Sequence, residues 1–237
     1  VVLRGRQLGE ADRILTLFTL ERGKLDGVAK GVRRPRSHLG GRLELYNECD
    51  FLMHRGRSLE VIVSAEIRRA YWLRLVEPRR YAVVAVLAEL VDAFCEPDLA
   101  MPDVYELLVG AIGAVAASES ARSLLPRFSL RLLDMLGLAP PLSSCVGCGA
   151  PFGTGPFWLD AQAGGILDAV CRQSWQDLPE LEARDLENLR GLARPKQERG
   201  AAALLATAAA AAAVDELVAH HLGKRPKALG QLGALGA

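Results

Sequence analysis

Two hydrophobic periodicities divide the chain. Up to about residue 70 the apolar positions come in short, β-branched runs; from Tyr81 onward they recur at helical spacing. The run from Arg13 to Leu20 predicts a strand, Glu21-Arg22-Gly23 a turn, and Lys24 to Lys30 a second strand. Glu44 to His54 and Leu59 to Glu66 predict another pair, joined across Arg55-Gly56-Arg57-Ser58. With Val1 to Leu8 this makes about five short strands, which one small closed barrel would bury and free of edges. The OB-fold is the common five-stranded solution, and an SH3-like barrel fits the pattern nearly as well.

Beyond the barrel, Tyr81–Cys95, Asp103–Ala117 and Ala121–Leu136 read as packed helices, broken at Pro97 and Pro102 and at the patch Ser118-Glu119-Ser120. Pro126 predicts a kink in the third segment or a start nearer that proline, and Gly137 with Pro140-Pro141 ends it. Residues 142–175 hold little helical pattern. A further helix is expected over Pro179–Leu192, and an alanine-rich one, closed by Gly223, is expected to be the last. The reading is an α+β multidomain protein: barrel over 1–75, helical domain over 76–142 and 176–237, and a ribbon-like insertion over 143–175.

Composition supports real cores: 237 residues are 50% apolar, which excludes a largely disordered chain. The net charge of +1 conceals an asymmetry. Residues 1–80 hold 17 Lys and Arg against 10 Asp and Glu, a net of +7; the remainder nets −6. A basic module beside an acidic one suggests different partners, nucleic acid for the first and proteins for the second. The longest apolar run, Ala201 to Val214, is 14 residues and too short to span a bilayer, so no membrane partner is expected. Acidic Glu10 and Asp12 argue against a signal peptide. Five cysteines, an odd number with one C-x-x-C, argue for a reducing, cytoplasmic setting.

The strongest basic cluster is Lys30-Gly31-Val32-Arg33-Arg34-Pro35-Arg36, four cations in a Gly- and Pro-containing loop. Such a loop can lay guanidinium forks along phosphates. Lys24, Arg55 and Arg57 lie at other hairpin turns and extend the candidate surface. A solvated loop would look similar, but the net +7 favours nucleic acid. Few aromatics accompany these cations, which points to backbone-dominated, salt-sensitive binding.

Cys145-Val-Gly-Cys148-Gly149 resembles half of a zinc knuckle, and Cys171 follows after 22 intervening residues. Ser174 occupies the position where a second C-x-x-C would place its last thiolate. Zinc held by Cys145, Cys148 and Cys171 with an outside ligand or water is the expectation; the alternative is a relic ribbon that binds nothing. Phosphate-loop, dinucleotide, nucleophile-elbow and H-E-x-x-H motifs are missing, and Asp185 with Glu187 reads as a solvated helix face. The chain is therefore expected to be no enzyme, with no small-molecule substrate, and any work on nucleic acid must be driven by binding energy.

Three stretches together are similar to the RecO family of bacterial recombination mediators. They are Glu10 to Thr19 with Gly23-Lys24 and Val28 to Arg34, then Phe128 to Gly137 running into Cys145–Gly149, and His221-Leu-Gly223 before Lys224-Arg225-Pro226-Lys227. The resemblance implies an N-terminal OB-fold, a helical domain and an inserted zinc ribbon. It implies binding of single- and double-stranded DNA, annealing of complementary strands, partnership with RecR, contact with the C-terminal tail of single-strand-binding protein (SSB), and help for RecA on SSB-coated DNA. By the same resemblance, Lys24, Lys30, Arg33, Arg34 and Arg36 take the DNA role, Cys145, Cys148 and Cys171 are metal positions, and the protein is cytoplasmic and nucleoid-associated. An RNA-binding or ribosome-associated OB and zinc-ribbon protein fits the same pieces equally well, whereas a small-substrate zinc enzyme is disfavoured by the lack of an open metal site with a base.

Overall fold

The computed structural model describes residues 1–118, 121–174, 177–194 and 205–234. Glu119 and Ser120 of the expected helix break, and positions 201–204 of the alanine-rich run, lie outside the described residues.

Five strands form the first sheet: β1 (Val2–Leu8), β2 (Asp12–Thr19), β3 (Gly23–Ala29), β4 (Glu48–Arg55) and β5 (Glu60–Arg69). Their order is β1-β2-β3-β5-β4. Neighbours are antiparallel except β3 and β5, which pair parallel at Gly27–Glu60 and Val28–Val61. That crossover gives the OB arrangement rather than an all-antiparallel meander. Hydrogen bonds from Val2 N to Asn47 O (3.2 Å) and from Tyr46 N to Val2 O (2.8 Å) bring the start of β1 to the approach to β4. Leu15, Leu17, Leu25, Ala29, Ile62 and Ala65 fill the interior.

β2 is buried on both faces, which explains its unbroken apolar run. Leu15 and Leu17 point into the barrel, while Phe18 packs outward with its ring 6.4 Å from that of Tyr105. Gly23 turns the β2–β3 hairpin at φ +66°, and a Cβ there would sit 1.8 Å from the Leu99 carbonyl oxygen. The expected strand from Glu44 starts instead at Glu48, because Tyr46 adopts a left-handed φ of 70° that ends extended pairing.

Two compact units result: Val1–Arg122 with Pro226–Ala237, and Ser123–Arg225. The sequence division grouped residues by element type, whereas contact places α1 (Pro78–Phe94) and α2 (Pro102–Ala117) in the barrel's unit. The same unit contains a helix beyond the one expected to be last, α6 (Lys227–Ala234). Its first N–H groups, on Lys227 and Ala228, donate to the Glu89 carboxylate of α1 at 2.9 and 2.7 Å. A cap supplied from 138 residues away leaves no local start pattern to read.

In the second unit, α3 (Leu125–Met135) begins at the proline, as the sequence suggested, after a short 3-10 turn at Ala121–Leu124. α4 (Ala183–Ala193) and α5 (Ala208–Leu222) pack on it. Thr207 caps α5, its hydroxyl accepting from Ala210 N, and Gly223 closes it at φ +67°. Asp185 is no solvated carboxylate: it is buried, accepting from Glu182 N at 3.0 Å and from the Thr207 hydroxyl at 2.7 Å. The unit's sheet, in the order β7-β6-β8, comprises β6 (Phe157–Asp160), β7 (Gly165–Leu167) and β8 (Glu180–Leu181).

Candidate nucleic-acid interface and metal centre

The β4–β5 hairpin tip turns at Gly56, whose N–H donates to Leu59 O at 3.1 Å. A Cβ at Gly56 would lie 2.3 Å from that same oxygen, so the tight turn requires glycine and throws Arg55 and Arg57 outward. The tip borders a concavity of about 820 Å³ on the outer side of β1–β3, with Arg4, Arg22, Lys24 and Asp92 also on its walls. This is the strand face, with its β4–β5 loop, through which OB-folds receive oligonucleotides.

Many of the concavity's charges are matched. Arg4 meets Asp92 at 2.6 Å, and Arg22 meets Glu60 at 2.9 Å and Asp98 at 3.2 Å. Lys24 is held inward: its side chain is 15% exposed, its ammonium is 3.6 Å from the Asp92 carboxylate, and it donates to the Asp92 carbonyl. Arg55 and Arg57 have no carboxylate partner among the described residues.

The loop that follows β3 is pinned by its apolar members. Val32 and Leu39 are buried in the barrel core, Gly31 N donates to Asp12 Oδ1 at 2.7 Å, and Arg33 N donates to Ala11 O at 3.0 Å. Between these pins Lys30, Arg33, Arg34 and Arg36 are exposed. The Arg33 guanidinium donates to the Glu10 carbonyl at 3.1 Å, which fixes its direction. Lys30, Arg34 and Arg36 make no ion pair among the described residues. Register puts this loop just past the Ala29 end of β3, while Glu60, which follows the β4–β5 tip, pairs two residues earlier at Gly27. The two sets of free cations therefore border the same strand.

In the second unit, Cys145, Cys148, Asp168 and Cys171 bring one ligand atom each to within 4.8 Å of one another. Ser174 is exposed, and the fourth group that could serve a metal beside the three thiols is the Asp168 carboxylate. The second half of the site is thus Asp168-Ala-Val-Cys171, with the two-residue spacing running upstream of the cysteine. That spacing was present in the sequence as an acidic counterpart of C-x-x-C.

Local geometry builds this site. Asp168 Oδ1 accepts from Val170 N (3.0 Å) and Cys171 N (2.9 Å), which leaves Oδ2 facing Cys148 Sγ at 3.7 Å. Those N–H groups, Cys171 first, hold the Asp168 carboxyl below its usual pKa. Burial alone would push the Cys145 thiol up, but N–H groups of Asp168, Cys148 and Gly147 outweigh it and hold the thiol down. Hydrogen bonds shared with Cys148 and Cys145 push Cys171 up to about 12. The two arms meet at Gly147, where a Cβ would lie 2.9 Å from Cys171 Cβ and 3.1 Å from its Sγ. Tetrahedral zinc with Zn–S bonds of about 2.3 Å separates its sulfurs by about 3.8 Å, so this donor set fits after closing by at most about 1 Å.

A small OB barrel with exposed cations that make no ion pair among the described residues thus shares one chain with helices and a cysteine cluster. Residues 1–71 match the family described as recombination protein O, N terminal, and residues 76–230 match recombination protein O, C terminal. The chain belongs to the RecO family. It is 33% identical over 241 residues to "DNA repair protein RecO" of Anaeromyxobacter dehalogenans, covering 100% of this chain and 95% of the relative. It is 38% identical over 170 residues to the protein so named in Bifidobacterium longum (strain DJO10A), covering 70% of each. A third such relative, from Nocardioides sp., is 38% identical over 177 residues, 73% of this chain and 72% of that one. Among the described residues no helix is long and apolar enough to cross a membrane.

Proposed function

We propose that this chain is a recombination mediator in DNA repair, acting without ATP on single- and double-stranded DNA. The observation that carries the reading is a set of six exposed cations on the OB barrel, Lys30, Arg33, Arg34, Arg36, Arg55 and Arg57, none with a carboxylate partner among the described residues. Lys24 is left out of the DNA surface, since its ammonium is engaged by Asp92. Membership of the RecO family and the name of its relatives, DNA repair protein RecO, support the same direction.

The physical sequence is charge neutralisation. A strand laid on the barrel releases counterions as its phosphates meet the six cations. A complementary strand then approaches a less negative surface, and pairing proceeds on base-pairing energy alone. With RecR, this activity assists RecA on DNA coated by SSB, whose C-terminal tail the protein contacts.

The metal in this reading is zinc, held by Cys145, Cys148, Asp168 and Cys171, and its chemistry is structural cross-linking of two chain segments. The chain's own residues orient the ligands: Val170 and Cys171 N–H groups aim the Asp168 carboxylate, and Gly147 permits the close approach. The protein is further proposed to be a non-enzyme working in the cytoplasm at the nucleoid. Fluorescence anisotropy with labelled single-stranded DNA, duplex DNA and RNA of matching sequence tests the reading. Binding to both DNAs is expected; tight binding to RNA alone would replace it with an RNA-binding role.

A further inference from the structure

At the chain's exit from the barrel, Glu44, Leu45, Trp72, Leu75 and Tyr81 surround a niche of about 210 Å³. Trp72 is 50% exposed and Tyr81 42% exposed, so two aromatic faces meet solvent where a barrel normally hides them. The niche is separate from the concavity beside the β4–β5 tip, with which it shares no residue.

Its walls are held from behind. Tyr81 packs edge-on against Tyr46 at 5.2 Å between ring centroids. Tyr46 itself is buried in the left-handed conformation, φ 70°, and anchored by its N–H to Val2 O at 2.8 Å. A bulky residue keeps that conformation only where its surroundings impose it. On the other side, Arg74 N and Leu75 N both donate to Tyr71 O, at 2.8 and 3.1 Å, closing a turn that presents Trp72.

Charge selects the occupant. Arg42, two residues before Glu44, and Arg74, two after Trp72, are exposed and make no ion pair among the described residues. Arg42 also continues the chain of cations that begins at Lys30. The niche's own wall carries the Glu44 carboxylate, so the place for a phosphate is outside it, by the neighbouring Arg42 and Arg74, while the cavity offers its aromatic faces. Exposed rings with guanidiniums nearby are the elements of a single-strand stacking platform: bases stack on rings while phosphates meet cations.

We propose that this niche receives an unstacked base of single-stranded DNA, with Trp72 as the stacking surface and Arg42 and Arg74 on the adjoining phosphates. The inference rests on the DNA-binding reading above and adds to it a preference for unpaired strands. In a duplex the base faces are already stacked on one another, so the niche contributes nothing there.

The test compares the parent protein with Trp72→Ala and Trp72→Phe on labelled oligo(dT) and on a duplex, with thermal melting as a fold control. Expected is a loss of about five- to tenfold in oligo(dT) affinity for Trp72→Ala, most of it restored by Trp72→Phe, with duplex affinity unchanged. A parent that binds oligo(dT) and a Trp72→Ala variant that binds it equally well overturn the niche alone. A parent that binds no DNA overturns the DNA reading itself. Equal losses on oligo(dT) and duplex also overturn the niche, because stacking is confined to open strands.

Discussion

Replacing Arg34 and Arg36 together with alanine removes two of the six cations assigned to the DNA surface, which lack a carboxylate partner among the described residues. Both side chains are exposed and form no hydrogen bond that shapes the loop, whose anchors are Gly31, Val32, Arg33 and Leu39. The change is therefore electrostatic. If each of these six cations neutralises one phosphate, they contribute about −4.2 to the log–log salt slope on single strands, and in the double variant about −2.8, with Arg42 and Arg74 steepening both alike. Through these contacts, raising salt from 50 to 200 mM weakens the parent about 340-fold and the variant about 50-fold, a difference of about sevenfold that the other cations leave unchanged. Lys24→Ala serves as the contrast, because an ammonium engaged by Asp92 releases no counterion on binding, so its slope stays at the parent value. Anisotropy titrations of a labelled oligonucleotide across that salt range read the slopes directly. Parallel slopes for parent and double variant would refute the assignment of this loop to DNA, and a flattened slope in Lys24→Ala would refute the separation of free from engaged cations.

Further outcomes follow from the metal site and the buried thiols. Purified protein should hold about one zinc per chain by elemental analysis. Asp168→Ala should lower zinc retention against a chelator by at least about tenfold while Ser174→Ala leaves it unchanged; the reverse ranking would return the fourth position to the serine. Gly147→Ala pushes a methyl to 2.9 Å from Cys171 Cβ and should cost about 1–3 kcal/mol by thermal or denaturant unfolding, with an unshifted midpoint counting against the close approach. Burial pushes the Cys49 and Cys95 thiols from 9.0 to about 11. Because the folded chain keeps these protons longer than the unfolded one, their contribution is whole below pH 9 and lost as pH rises through about 11. Denaturation midpoints should decline over that window, and less steeply in a Cys49→Ala, Cys95→Ala double variant; identical profiles would contradict the cause assigned.

The barrel was legible because its strands carry their own signals. Apolar alternation, Gly23 at the hairpin and the Gly56 turn are local, and local patterns survive in a sequence. Which cations remain free was not legible: Lys24 and Asp92 are far apart in the chain, so the loss of Lys24 to an ion pair shows only once α1 is docked on the barrel. The same holds for α6, whose first turn is capped by Glu89, and for Asp185, which bridges two helix starts through Thr207.

The metal site illustrates a different gap. Cys145, Cys148 and Cys171 stand out because thiols are rare, whereas Asp168 is chemically ordinary among 28 acidic residues. Its role depends on Val170 and Cys171 N–H groups turning the carboxylate toward the sulfurs, which is a matter of backbone geometry. Tyr46 also shows only in three dimensions, since nothing in Glu44 to Asn47 marks a left-handed residue in what reads as a strand.

The central claim, that this chain mediates pairing and exchange on DNA through binding energy alone, is tested most directly by strand annealing. Complementary oligonucleotides coated with SSB are mixed with the protein in the absence of ATP, with and without RecR, and duplex formation is followed by fluorescence. Annealing well above the uncatalysed rate is expected, salt-sensitive and slowed in the Arg34→Ala, Arg36→Ala variant. Annealing at the uncatalysed rate under every condition, by protein that binds both strands, would contradict it.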